Sequence, residues 1–243
     1  MPLGENRGII IIVRRKGDDF NGRICSKNSL WLGSQNYGLD TPNSDKDYKW
    51  IEVPSFDELF NKQVLTRQID EHNSVWDIRD FFRYLKKAAP TALEALFSIE
   101  IEYFDEDFKN LMNEVRTKAS SLVRNNWNGF VNGTKGMVYA GIKKEETPKT
   151  ISRFIFFYYL YQRILKTKTL GYLTWHSDYP GFGLARAIRE ENKLTEKDLQ
   201  IFEDIKVRWE EREELRAEQH DVLAVEEVEF LFKNYFSNYL TKN

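Results

Sequence analysis

Two strand-like runs separated by a turn-rich loop constrain this chain more than any other feature. Ser29-Leu30-Trp31-Leu32 is apolar, is ended by Gly33 and predicts a short buried strand. Gly38, Asp40, Pro42, Asn43 and Ser44 follow as turn-formers. Asp45-Lys46-Asp47 then runs into Tyr48-Lys49-Trp50-Ile51-Glu52-Val53, which predicts a second strand.

The period of a strand gives this stretch a chemistry. Residues i and i+2 face the same side, so Asp45 and Asp47 present two carboxylates together. Mg²⁺ takes oxygen ligands at about 2.0–2.1 Å and commonly combines one or two carboxylates with substrate phosphates. A carboxylate pair of this kind can hold two ions about 3.5–4 Å apart, which clamps both oxygens of an in-line phosphoryl displacement. Gly33 lacks a Cβ and lets backbone approach a phosphate, and Ser34 adds a hydroxyl donor there. A lone D-x-D in a polar loop is ordinary turn chemistry; the combination with strand, Gly-Ser, loop and second strand is what singles this one out.

Those residues carry a resemblance. Gly33-Ser34 followed by Asp45-x-Asp47 resembles the signature of nucleotidyltransferases of the DNA polymerase β superfamily. The fuller string G-S-x-x-Y-G-x-x-T-P-x-S-D-x-D resembles one branch, the predicted nucleotidyltransferases related to RNA-repair-associated polymerase-β-like proteins. The likeness is clear over 33–53 and continues more weakly through Asp77-Ile78-Arg79 and Ala92-Leu93-Glu94-Ala95-Leu96-Phe97. It implies that Gly33, Ser34, Tyr37, Thr41 and Ser44 bind nucleotide and that Asp45 and Asp47 hold Mg²⁺ (or Mn²⁺). It also implies a third carboxylate on a neighbouring strand, just before Ser74. Asp70 and Glu71 are available, His72 follows, and Ser74 itself aligns; Glu71 is the expected catalytic and metal residue.

The 243 residues suffice for one large or two small domains. A net charge of −2 proposes no bulk attraction to nucleic acid. One cysteine, Cys25, excludes an internal disulfide and a multi-cysteine zinc site. His72, His176 and His220 are scattered. No apolar run approaches the length needed to span a bilayer, and Ile9–Val13 is too short for a signal peptide core, so a cytoplasmic, soluble protein is expected.

Beyond the signature, Ile9–Val13 predicts a strand and Arg14–Lys27 a loop. Ser55 with Glu58 forms a capping box for a short helix, and Gln63–Ile69 predicts a third strand. Ser74-x-x-Asp77 predicts the opening of a helix carrying Ile78, Phe81, Phe82 and Leu85, which Pro90 stops; a shorter helix follows from Thr91. Ser98–Tyr103 alternates like a strand, and 105–124 is helical with Phe108, Leu111, Met112, Val115, Ala119 and Leu122 on one face. Asn125–Gly136, polar and glycine-rich, breaks the pattern, and the domain boundary is expected within about 104–136. Ile151–Leu165 is apolar nearly all round and predicts a central helix; further helices are expected over 183–191, from Thr195 and from Asp221, with a turn-rich loop over 171–183. Lys149 and Arg153 open the central helix, either as a solvated start or as contacts to a triphosphate.

The expected architecture is α+β: a polymerase-β-like nucleotidyltransferase domain with a small mixed sheet over 1–124, then an all-helical domain over 125–243. The expected activity is metal-dependent transfer of a nucleoside monophosphate from an NTP, such as ATP, to an acceptor (an RNA end, a protein side chain or a small molecule) with release of pyrophosphate. The alternative is a catalytically degenerate module that binds nucleotide or a partner.

Overall fold

The computed structural model describes residues 28–32, 37–42, 44, 47–98, 101–102, 106–167, 170, 180–211 and 222–242. The strand expected at Ile9–Val13, most of the loop expected at 171–183, and Gly33, Ser34 and Asp45 lie outside them.

The two predicted strands form and pair. β1 (Asn28–Leu32) runs antiparallel to β2 (Asp47–Glu52), with Asn28 opposite Ile51 and Leu32 opposite Asp47. β2 also pairs in parallel with β4 (Asn73–Asp77), whose edge carries the two-residue β3 (Arg67–Gln68) antiparallel. β5 (Ile101–Glu102) pairs antiparallel with β1, which gives, among the described residues, a mixed five-stranded sheet in the order β3-β4-β2-β1-β5. The predicted third strand is thus much shorter than Gln63–Ile69.

The connection from β2 to the parallel β4 carries α1 (Phe56–Phe60), whose Ser55–Glu58 capping box forms as expected. Ser74–Asp77 does not open a helix: it is strand, and α2 (Ile78–Lys86) starts one residue later. The reason is competition. Val75 and Trp76 are strand formers with a ready partner in β2, whereas the cap needs only Asp77, whose Oδ1 accepts from the Arg79 backbone N–H at 2.9 Å. Pro90 sits at the first position of α3 (Pro90–Leu96), where its missing N–H costs nothing.

Every regular element after β5 is a helix among the described residues: α4 (Glu106–Asn125), α5 (Trp127–Lys144), α6 (Pro148–Thr167), α7 (Pro180–Glu191), α8 (Glu196–Glu211) and α9 (Val222–Lys242). The stripe predicted for α4 is buried along its whole length. α6 is the centre of this part, burying Phe154, Ile155, Phe156 and Phe157 in succession against α5, α7 and α8. Its rings reach the signature loop: Tyr37 lies 5.2 Å from Phe156 and 5.0 Å from Phe157, centroid to centroid. One hydrophobic core therefore takes side chains from both sides of residue 125. None of the described helices is long and apolar enough to cross a membrane.

Asn125–Gly136 is no break, since nearly all of it is helix. Its glycines mark close approach. A Cβ on Gly129 would sit 2.8 Å from the Lys87 carbonyl oxygen, and one on Gly133 would sit 2.8 Å from Cδ of Pro90. Gly136 faces open space. Alanine at Gly136 should therefore stabilise the protein by up to about 1 kcal/mol through helix propensity. Alanine at Gly129 must displace backbone and should destabilise it by about 1–3 kcal/mol. Opposite shifts in denaturation midpoint check this; equal shifts would return the segment to a plain helix–coil effect.

Candidate active site

The sheet register assembles the site. β1 delivers the chain to Leu32 opposite Asp47, so the Gly33-Ser34 pair follows directly from the residue that faces the second acid of the D-x-D. On the other side of β2, the Tyr48 N–H donates to the His72 carbonyl at 3.2 Å and Tyr48 is paired with Asn73. His72 is thereby brought beside Asp47, and its Nδ1 lies 3.0 Å from the Asp47 Oδ1. The Nε2 of the same ring lies 3.2 Å from the Oε1 of Glu71, which is 84% exposed at its side chain. A chain Asp47–His72–Glu71 results. Asp70 belongs to its own turn: its carboxylate accepts from the Asn73 side chain and from the backbone N–H groups of His72 and Asn73, and these bonds hold its pKa below the usual value. Ser74, opposite Lys49, is buried and carries no charge. Among the described residues no group of three or more His, Cys, Asp or Glu is arranged to hold a metal ion, with Asp45 outside that set.

Beneath the strand end lies a buried polar cluster. Lys49 follows Asp47 by two residues and shares its face of the sheet. Its Nζ stands 3.7 Å above the Trp76 ring. Burial pulls the Lys49 pKa down to about 8, against the opposing pull of Glu94 and Asp47. Glu94, on α3, is only 2% exposed and bonds the Tyr37 hydroxyl. Burial, reinforced by Glu94 and opposed by Arg153, raises the Tyr37 pKa well above its ordinary value. Arg153, on α6, has its guanidinium carbon 5.8 Å from the Phe157 ring centroid. Its Nε is buried and has no hydrogen-bond partner among the described residues. Such a donor is costly unless another group accepts from it. Lys149 stands one turn earlier on α6, exposed.

The signature loop is closed on itself and tied from behind. Gly38 has φ of 67°, a conformation that favours glycine. The Thr41 N–H donates to Ser44 Oγ at 2.8 Å, and the Ser44 N–H donates to the Thr41 carbonyl at 2.9 Å. Arg186 and Arg189 of α7 donate to the carbonyls of Gly38 and Leu39, each at 3.0 Å, and Arg189 Nη2 reaches Ser44 Oγ at 3.2 Å. The hydroxyls of Tyr37, Thr41 and Ser44 are thus engaged within the protein.

Of the expected site residues, the structure brings Asp47 and, through His72, Glu71 together at one strand end, and sets Tyr37 and Arg153 against the same Phe157 ring. Lys49, Glu94, His72, Arg186 and Arg189 complete the surroundings and were not singled out as functional from the sequence. Two of them left a signal there. Lys49 shares the i, i+2 spacing of the two aspartates, and Glu94 is the lone acid in the apolar Ala92-Leu93-Glu94-Ala95-Leu96. The arginines of α7 left none.

Comparison with known proteins adds one match. The family model described as the RNA repair pathway DNA polymerase beta family matches residues 30–230. No curated protein and no solved structure matches.

Proposed function

Because the chain belongs to the RNA repair pathway DNA polymerase beta family, we propose that it is a metal-dependent nucleotidyltransferase. It transfers a nucleoside monophosphate from an NTP such as ATP to an acceptor hydroxyl and releases pyrophosphate. The observation that carries this reading is the register that sets Leu32, the residue before Gly33-Ser34 in the sequence, opposite Asp47. The buried Nε of Arg153, without an acceptor among the described residues, supports an anionic ligand.

Asp45 and Asp47 would hold Mg²⁺ or Mn²⁺, with Glu71 linked to Asp47 through His72, and a bound ion would neutralise triphosphate charge during displacement. Gly33 and Ser34 donate to the β- and γ-phosphates. Arg153 and Lys149 take further triphosphate charge. Tyr37, Thr41 and Ser44 serve the nucleotide by fixing the loop rather than through free hydroxyls. Glu71 takes the proton of the acceptor hydroxyl, with His72 orienting it. Replacing Glu71 by Gln should lower turnover by about 10²–10⁴-fold and leave nucleotide affinity nearly unchanged. An unchanged rate in that variant would remove Glu71 from the chemistry.

A second reading has its own observation, the 84% exposure of Glu71 in a site with no third acid against Asp47 among the described residues. It makes the protein a binding module that keeps nucleotide without turnover. Titration calorimetry with each NTP and Mg²⁺, run beside pyrophosphate release and transfer of α-labelled NTP to RNA or protein from a cell extract, separates the two. Label transfer with pyrophosphate release supports the enzyme. Binding without release selects the module, and neither would end both readings.

A further inference from the structure

We propose that Arg189 of α7 is a positioning residue for the nucleotide-binding loop, so that the helical part of the chain sets the geometry of the acidic pair. This rests on the nucleotidyltransferase reading. Residues 37–44 form no helix or strand among the described positions, so little local structure holds them. Among the described residues the loop is closed by a hydrogen-bonded turn from Thr41 to Ser44, and Asp45 follows Ser44 in the sequence. Arg189 is 8% exposed and spans that loop with two donors, Nε to the Leu39 carbonyl and Nη2 to Ser44 Oγ. Ser44 Oγ in turn accepts from the Thr41 N–H, so one guanidinium fixes both the buried carbonyl and the hydroxyl that closes the turn. Arg186, held by Glu190 at 2.6 Å, adds a third point at the Gly38 carbonyl. A guanidinium supplies these donors in a rigid fork, which an ammonium cannot reproduce. Small errors in the placement of reacting groups cost large factors in rate, so a loop that leads into a metal-binding acid needs such bracing.

The test compares wild-type protein with Arg189→Lys, Arg189→Met and Ser44→Ala, each in the full chain. Lysine keeps the charge and loses the two-point contact. The expected result is that both Arg189 variants raise KM for the NTP and the Mg²⁺ concentration for half activity, lowering kcat/KM by about 100-fold, with lysine giving little rescue. Hydrogen exchange at the Thr41 and Ser44 amides should speed up by about tenfold or more, while sheet amides stay as protected as in the wild type. If an Arg189 variant fails to fold, Ser44→Ala, which removes the shared acceptor, must show the same loop exchange and the same rise in KM. Unchanged KM and unchanged loop exchange, with activity falling only in step with the folded fraction, would make Arg189 a packing residue and overturn the proposal. Full rescue by lysine would overturn it as well, in favour of charge alone. If wild-type protein neither turns over nor binds nucleotide, the nucleotidyltransferase reading fails, and the loop exchange by itself decides the positioning role.

Discussion

Replacing Asp47 by Asn should abolish nucleotidyl transfer while leaving the fold intact. Asn keeps the shape of the side chain and an oxygen able to face His72 Nδ1, so the 3.0 Å contact can persist. The charge that would hold a divalent ion is lost. Several kcal/mol of transition-state stabilisation go with it, which corresponds to a rate loss of about 10³-fold or more. The stability cost is small because the Asp47 and His72 side chains are 41% and 35% exposed, and pairs at that depth contribute about 0–1 kcal/mol. Asp45→Asn should match it in activity. Steady-state transfer assays and thermal melts run on the same preparations check both halves of the statement. Near wild-type turnover in Asp47→Asn would refute the assignment of the acidic pair, and a collapsed melting temperature would turn the loss of activity into a folding effect.

The second large effect concerns Glu94. It is buried, it bonds the Tyr37 hydroxyl, and it is the charge that most raises the pKa of Lys49 against burial. Glu94→Ala would leave a largely buried ammonium and a buried phenol without their partner, which should cost about 2–4 kcal/mol. Glu94→Gln keeps an acceptor for Tyr37 and should cost about 1–2 kcal/mol. The double variant Glu94→Leu with Lys49→Met removes both charges and should recover most of the loss, since no uncompensated buried charge is left behind. A pH signature accompanies the pair. The folded pKa of Lys49, about 8, lies below its ordinary 10.5, so below about 8 the lysine is charged in both states and the burial penalty is complete. Between those values the unfolded chain holds the proton more tightly, and stability rises with pH. In Glu94→Ala the folded pKa falls further, and that rise should begin at lower pH. Chemical denaturation across neutral to alkaline pH reads both effects. A double variant no more stable than Glu94→Ala would show that Glu94 and Lys49 are not coupled.

The elements legible in the sequence are those whose cause is local or periodic. The strand, loop and D-x-D strand were readable because turn-formers and apolar runs act within a few residues. The caps at Ser55 and Thr195 form because their partners stand three residues away. The stripes of α2 and α4 follow from the helical period. The family likeness was legible because its signature is compressed into one loop. Elsewhere tertiary structure decided. The glycines of α5 read as a break because a glycine does not reveal in sequence whether it bends the chain or admits a neighbour, and here Lys87 and Pro90 come within contact of where a Cβ would stand. Ser74–Asp77 became strand because β2 offered a partner that outweighs a local cap. Asp47 met His72, Glu94 met Tyr37, and Arg189 met the loop only through folding, since a hydrogen bond between residues 145 or 150 apart in the chain leaves no spacing to read.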